Sequence, residues 1–148
     1  MTLRAMRWWD IEPIVEIEHE LFGDTAWSAG QFWSELAQPN RTYVVHDDDR
    51  GIAGYAGLMR VPPTADIQTI AVAPRAQRRG VASDMLAHLL QIADETCSQT
   101  FLEVSADNDA AITLYERSGF AAIARRTSYY GPGCDALIMR RDHRGSGV

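Results

Sequence analysis

Glu103 places a carboxylate inside a run, TFLEVSA, that otherwise has the character of a β-strand. Strand alternation puts Glu103 on one face with Phe101 and Ser105, whereas Leu102 and Val104 fall on the other. Two interpretations are open: the strand is half exposed and the carboxylate points into solvent, or the carboxylate is a general base. A carboxylate is a weak base in water, and burial between its apolar neighbours would strengthen it by disfavouring the charged form.

The segment between the strand residues IAV and the next helix has the residue types of an anion-binding turn. Gly80 lets the backbone approach a ligand, Arg78 and Arg79 supply positive charge, and the small residues that follow keep the surface low. N–H groups at a helix amino terminus lack intrahelical partners and lie at the positive end of the helix dipole, so a phosphate collects several hydrogen bonds there. The alternative is a solvated entry loop. Neither GxGxxG nor GxxxxGK(S/T) occurs, which argues against dinucleotide-fold and P-loop sites.

Tyr115 and Asn108 are separated by about two turns of the predicted helix DNDAAITLYERSG, so the two side chains share one helical face. A phenol on that face can donate a proton or a hydrogen bond to a leaving group. The alternative is that Tyr115 is a core aromatic residue beside Ile112 and Leu114.

The tryptophans Trp8, Trp9, Trp27 and Trp33 are expected mainly in the core. Trp27 lies between two predicted helices and can alternatively line a groove for a peptide.

Apolar periodicity and turn residues define the elements that must position these side chains. Helices are predicted after Asp10, after the Ser28 and Gln31 capping box, over 78–95 and over 107–119. Strands are predicted over 2–7, on both sides of the turn DDDRG, and over 65–73, 100–106, 120–130 and 134–141. The alternation indicates one α/β domain over residues 1–141, with a mixed sheet of about seven strands and helices on both faces, followed by a flexible tail over 142–148.

The composition excludes several classes of protein. The chain has 148 residues, 46% of them hydrophobic, which suits a single domain. Its net charge of -6 is unlike that of nucleic-acid-binding proteins, which usually carry an excess of lysine and arginine, and it favours a cationic or neutral partner. Cys97 and Cys134 form no CxxC pair and have no histidine at ligand spacing, so neither a disulfide framework nor a metal site is expected. With neither a signal-peptide pattern nor an apolar run of about 20 residues, we expect a cytoplasmic protein that does not enter membranes.

The combination Q-R-R-G-V-A after a strand, then a helix, L-E-V and N-x-x-A-x-x-L-Y-x-x-x-G-F, resembles the GNAT superfamily of acetyl-CoA dependent acetyltransferases. Within that superfamily the chain is most similar to the RimI type, the ribosomal-protein-alanine N-acetyltransferases. The early W-S-x-x-x-F at 27–32 and the late R-R-x-x-Y-Y at 125–130 extend the resemblance over most of the chain.

The resemblance implies a role for each matching residue. The family's proposed base matches Glu103, its proposed acid matches Tyr115, and a further cofactor contact matches Asn108. The backbone that pairs with the pantetheine arm of acetyl-CoA matches Ile70, Ala71 and Val72. The turn that wraps the pyrophosphate matches Gln77, Arg78, Arg79, Gly80, Val81, Ala82 and Ser83. Tentative substrate-lining positions are Trp27, Tyr129 and Tyr130.

The resemblance also implies a reaction: transfer of acetyl from acetyl-CoA to the N-terminal α-amine of a protein, with the N-terminal alanine of small-subunit ribosomal protein 18 as the first candidate. An α-amine has a reference pKa of about 7.7–8.0 and a lysine side chain one near 10.4, so the former needs only a modest base. Direct attack is expected, because neither cysteine has an evident base beside it. The alternatives are acetylation of lysine or of small-molecule amines, or a CoA-binding module without catalysis.

Overall fold

The computed structural model describes residues 2–129 and 131–143, and these form an α/β arrangement of seven strands and four α-helices. The strands are β1 Thr2–Ala5, β2 Arg41–Asp48, β3 Gly51–Val61, β4 Thr64–Val72, β5 Gln99–Ser105, β6 Ala121–Arg126 and β7 Ala136–Asp142. The helices are α1 Ile11–Phe22, α2 Ala29–Leu36, α3 Val81–Asp94 and α4 Asp109–Arg117. Short 3-10 turns occupy Trp8–Asp10, Gly23–Thr25 and Pro74–Ala76.

The strands form one mixed sheet in the order β1-β2-β3-β4-β5-β7-β6. β2 and β3 form the predicted hairpin, with Asp48 opposite Gly51 at its turn. β4 and β5 are parallel and pair from Thr64–Gln99 to Asp66–Phe101, whereas β5, β7 and β6 are antiparallel neighbours. The predicted mixed sheet of about seven strands is confirmed.

The chain divides into two compact units: a first unit of Met1–Met59 with Gln68–Leu89, and a second unit of Arg60–Ile67 with Leu90–Val148. In the first unit, helices cover both faces of the sheet. Tyr43 and Tyr55 pack on one face with Ile14 of α1 and Phe32 of α2. On the opposite face, a Cβ added at Gly54 would lie 2.8 Å from the Ala71 carbonyl oxygen and 3.0 Å from the Met85 Cε atom of α3, so glycine at this position allows close packing of the helix on the sheet.

The second unit shows the predicted alternation of β5. Leu102 and Val104 are buried, and Phe101 and Ser105 on the other face are only half-buried. Arg141 of β7 makes a bidentate pair with Asp94, its two terminal nitrogens lying 2.7 and 2.9 Å from the carboxylate oxygens. Such a fork fixes both the position and the orientation of β7 against Asp94.

Several local predictions are confirmed. The capping box of α2 is present: Gln31 N–H donates to Ser28 Oγ at 3.2 Å, and Ser28 N–H donates to Gln31 Oε1 at 2.7 Å. Gly119 follows the end of α4 with φ of 99°, a conformation that favours glycine after a helix.

Other local predictions are wrong. β1 ends at Ala5 rather than at residue 7, and Asp10 makes no described capping hydrogen bond to α1. Asp10 instead accepts from Arg7 N–H and from the Arg4 guanidinium, because the turn between β1 and α1 brings both donors to its carboxylate. The last two strands are also shorter than predicted, since β6 ends at Arg126 and β7 begins at Ala136.

The prediction that the tryptophans lie mainly in the core is also wrong. Trp8, Trp9 and Trp33 are 60%, 58% and 51% exposed, and only Trp27 is half-buried. The positions inside this part of the core are taken by Phe32 and Tyr55. None of the described helices is both long and apolar enough to span a bilayer.

Candidate active site

The predicted anion-binding turn lies in the first unit, between β4 and α3. Gln77, Arg78, Arg79 and Gly80 are exposed. Arg78 and Gly80 both have left-handed backbone conformations, with φ of 66° and 81°, a strained choice for arginine that is typical of ligand-binding turns. The sequence thus predicted the place of this turn but not its unusual backbone.

The top of the turn is open. A Cβ added at Gly80 would have no other described heavy atom within 4 Å. The first intrahelical hydrogen bond of α3 runs from Asp84 N–H to the Gly80 carbonyl, so the N–H groups of Val81, Ala82 and Ser83 precede the helical ladder. Val81 is buried, Ala82 is half-buried and Ser83 is exposed. This arrangement fits a phosphate group, because a helix amino terminus offers donors and positive potential.

The strand that leads into the turn is held at its carboxyl end. Ala71 is buried, whereas Ile70 and Val72 are half-buried. Gln77 donates its side-chain amide to the Val72 carbonyl at 3.3 Å, and Ala73 N–H donates to the Ala53 carbonyl at 2.8 Å. These bonds fix the turn relative to the end of β4.

Glu103 lies in the second unit on the half-exposed face of β5. Its side chain is 36% exposed, and one carboxylate oxygen lies 3.6 Å from a terminal nitrogen of Arg126. Glu103 is therefore not buried between Leu102 and Val104, because strand alternation sends those two side chains into the core and Glu103 away from it.

Asp66 is a second carboxylate of this unit that sequence reasoning missed. Burial, and then the negative charge of Glu103, raise the pKa of Asp66 above its ordinary value. The available signal was the polar residue inside the strand ADIQTI. A pair of electrostatically coupled carboxylates is typical of sites that accept and pass on protons.

Asn108 and Tyr115 also lie in the second unit, at the two ends of α4. Asn108 caps the helix: its Oδ1 accepts from Ala111 N–H at 3.1 Å, which leaves its amide nitrogen as the group that can contact a ligand. Tyr115 is only 6% exposed, and its ring centroid lies 6.0 Å from that of Phe120. Tyr115 thus occupies a core position.

The tentative substrate-lining residues fall in different places. Trp27, in the loop between α1 and α2, packs its ring 5.2 Å from that of Phe32. Tyr129 is 50% exposed, and the Arg126 guanidinium lies 5.1 Å from its ring centroid. Arg126, which sequence analysis did not single out, therefore contacts both Glu103 and Tyr129. Tyr130 lies outside the described residues.

Glu18 is another missed residue and lies in the core of the first unit. Its carboxylate is buried, accepts the Tyr55 hydroxyl at 2.5 Å and accepts Trp27 N–H at 3.0 Å. Burial, and then Glu18, raise the pKa of Tyr55 well above its ordinary value, which keeps the phenol protonated and donating. A signal was available, since Glu18 stands one turn after Ile14 on the apolar face of α1.

Replacing Glu18 with alanine should lower the free energy of unfolding by about 3 kcal/mol, because the Tyr55 hydroxyl and Trp27 N–H lose their buried acceptor. Urea unfolding followed by circular dichroism measures the change. Glu16→Ala, on the exposed face of the same helix, is the matched control and should change stability by less than about 0.5 kcal/mol. Equal losses in the two variants would contradict a role for the buried hydrogen bonds.

Within residues 2–129 and 131–143, no cluster of three or more histidine, cysteine or carboxylate side chains is arranged to hold a metal ion.

The sequence and the fold were compared with those of known proteins. Residues 3–120 match the profile of the Acetyltransferase (GNAT) family, whose members use acetyl-CoA. The chain is 38% identical over 148 residues to the N-alpha-acetyltransferase RimI of Mycobacterium tuberculosis, a match that covers 96% of this chain and 92% of that protein.

Two further relatives extend the similarity. The [ribosomal protein bS18]-alanine N-acetyltransferase of Salmonella typhimurium is 35% identical over 117 residues, covering 76% of this chain and 78% of the relative. The crystal structure of the ribosomal-protein-S18-alanine N-acetyltransferase from Escherichia coli superposes with a TM-score of 0.85 at 28% identity, covering 99% of this chain and 97% of that one. The matched profile and the shared fold together show that this chain belongs to the acetyltransferase (GNAT) family.

Proposed function

We propose that this protein transfers the acetyl group of acetyl-CoA to the α-amine at the N-terminus of a protein, with the N-terminal alanine of ribosomal protein bS18 as the first substrate to test. The similarity to an N-alpha-acetyltransferase over 96% of the chain carries the proposal. A ribosomal-protein substrate would place the reaction in the cytoplasm. The net charge of -6 agrees with a basic substrate.

The turn Gln77–Ser83 is the proposed site for the pyrophosphate of acetyl-CoA. Three features of this turn suit an anion: the open surface above Gly80, the N–H groups that precede the first intrahelical hydrogen bond of α3, and the adjacent Arg78 and Arg79. Ile70–Val72 would hold the pantetheine arm through their backbone, and the Asn108 amide would donate to the same molecule. Bound there, acetyl-CoA supplies the acetyl group as a thioester.

The acceptor amine must be neutral before it attacks. Its reference pKa of about 7.7–8.0 leaves an appreciable neutral fraction at neutral pH, whereas a lysine with a reference pKa near 10.4 would be almost fully charged. Glu103 would take the proton released by the amine, directly or through a water molecule. Arg126 lies beside the Glu103 carboxylate, and Glu103 in turn interacts electrostatically with the carboxylate of Asp66.

Tyr115 would donate a hydrogen bond from its hydroxyl to the departing thiolate. A phenol with a reference pKa of about 10 transfers its proton to a thiolate of about 8.5 slightly uphill, so the hydrogen bond contributes more than a completed transfer. The proposed reaction needs no covalent enzyme intermediate. Cys97 is buried and donates to the Thr64 carbonyl, which suits a structural residue.

Tyr115→Phe should lower kcat by about tenfold, less than a change at Glu103, because it removes one hydrogen-bond donor but keeps the aromatic packing on Phe120. Steady-state kinetics with the alanine peptide described below measures the effect, and acetyl-CoA titration should give an unchanged Kd. A wild-type kcat for Tyr115→Phe would remove the tyrosine from the mechanism.

Mass spectrometry of two peptides tests the proposal. One peptide begins with a free alanine followed by basic and aromatic residues, and the other has the same sequence with a blocked α-amine and one added lysine. Acetylation of the free terminus alone supports the proposal. Acetylation of the lysine alone would make the protein a lysine acetyltransferase, and acetyl-CoA binding without turnover on any amine would make it a CoA-binding module.

A further inference from the structure

The first unit carries an exposed aromatic patch made of Trp8, Trp9 and Trp33. The rings contact one another: Trp8 stacks on Trp33 at 6.2 Å with an interplanar angle of 20°, and packs edge-on to Trp9 at 5.5 Å. More than half of each side chain remains exposed. Tryptophan is normally well buried and is enriched at the energetic centres of protein interfaces, so a solvent-exposed cluster of this kind marks a contact surface.

An acidic stripe runs from this patch along α1. Glu12, Glu16 and Glu20 are exposed and stand four residues apart, which places them along one side of the helix. The helix contains no lysine or arginine to neutralise them. Trp9, Glu16 and Glu20 together line a groove of about 650 Å³, so the patch and the stripe form one continuous surface.

The groove is lined by charges of both signs. Arg4 forms ion pairs with Asp10 at 2.8 Å and with Asp47 at 2.6 Å, and Arg75 pairs with Asp48 at 2.6 Å. The lining carboxylates Asp10, Asp47, Glu16 and Glu20 outnumber the lining arginines Arg4, Arg50 and Arg75. This excess of negative charge favours a positively charged occupant.

The patch is close in the chain to the tentative substrate-lining residue Trp27. Trp27 lies in the loop between α1 and α2, and Trp33 of the patch lies on α2, the helix that begins directly after that loop. The patch and Trp27 therefore belong to neighbouring segments of the first unit.

We propose that the patch and the stripe bind a basic segment of the protein substrate that follows the acetylated terminus. This inference rests on the proposed function. Proteins that bind RNA are rich in lysine and arginine, and both side chains bind carboxylates and the faces of tryptophan rings. The surface would then select a substrate by its internal basic segment as well as by its first residue.

Two substrates test the inference: complete bS18 protein, and a pentapeptide of its first five residues. The double variant Trp8→Ala/Trp33→Ala and the double variant Glu16→Gln/Glu20→Gln should each lower kcat/KM for the complete protein by about tenfold and leave the pentapeptide unchanged. Added salt should reduce the difference between wild type and the glutamine variant, because salt screens exposed charges. Two variants are the controls. Glu95→Gln/Glu116→Gln makes the same change of charge in the second unit, and Val61→Ala truncates another exposed apolar residue.

The result also separates failure of this inference from failure of the proposed function. One outcome would overturn the docking surface and leave the proposed function intact. In that outcome, the wild type acetylates the pentapeptide, and all variants act on both substrates as the wild type does. No acetylation of either substrate would overturn the proposed function, and this inference with it. A wild-type protein that self-associates in sedimentation experiments, with Trp8→Ala/Trp33→Ala monomeric, would show that the patch binds a second copy instead.

Discussion

Replacing Gly80 with glutamate should abolish acetyl-CoA binding. Position 80 has φ of 81°, so any side chain is strained there, but the space above it is open and the variant should fold. The new carboxylate would occupy the surface proposed for the pyrophosphate and repel it, turning an attractive anion site into a repulsive one. Isothermal titration with acetyl-CoA should show no measurable binding, against a clear isotherm for wild type.

Gly51→Glu is the matched control for that experiment. Gly51 also has a left-handed backbone, with φ of 111°, and a Cβ there would meet no described heavy atom within 4 Å. The substitution adds the same charge and a similar strain, but at the β2–β3 turn. Equal loss of affinity in both variants would indicate a general effect of strain, and wild-type affinity of Gly80→Glu would show that the turn is not the pyrophosphate site.

Glu103→Gln should lower kcat by about 10²-fold to 10³-fold and leave acetyl-CoA affinity unchanged. Glutamine keeps the size and the hydrogen-bonding capacity of the side chain but cannot accept the proton of the attacking amine. Steady-state kinetics with the alanine peptide measures the change, and acetyl-CoA titration should give the wild-type Kd. The acidic limb of the kcat/KM profile should remain, because it also reflects protonation of the substrate amine, whose reference pKa is about 7.7–8.0. Glu116→Gln, on the exposed face of α4, is the control and should behave as wild type.

The same variant tests the coupling between the two carboxylates. The negative charge of Glu103 helps to raise the pKa of Asp66, so its removal should lower that pKa toward the ordinary value. NMR titration of the Asp66 carboxyl carbon measures the shift. If kcat of Glu103→Gln matches wild type, Glu103 is not the base, and the corresponding Asp66→Asn variant tests the second carboxylate.

The sequence by itself determined the elements whose signals are local. The capping box of Ser28 and Gln31 and the hairpin turn at Asp48–Gly51 follow from residues a few positions apart, and both are present. The position of the turn before α3 was also predictable, since Gly80 and the adjacent arginines stand between a predicted strand and a predicted helix. Whether the turn binds an anion was not predictable from these residues alone, because a solvated entry loop can have the same sequence. The alternation along β5 also correctly placed Leu102 and Val104 in the core.

Tertiary structure decided which side chains meet and how far each is exposed. Glu103 pairs with Arg126 and interacts electrostatically with Asp66, and both residues lie on strands distant from it in the sequence. Glu18 of α1 accepts a hydrogen bond from Tyr55 on β3. The tryptophans show most clearly what sequence cannot predict, because their hydrophobicity alone predicts that they are buried. The core has room for a limited number of large side chains, and Phe32 and Tyr55 occupy this part of it. Trp8 and Trp33 therefore remain exposed on the surface, where they can contact a partner.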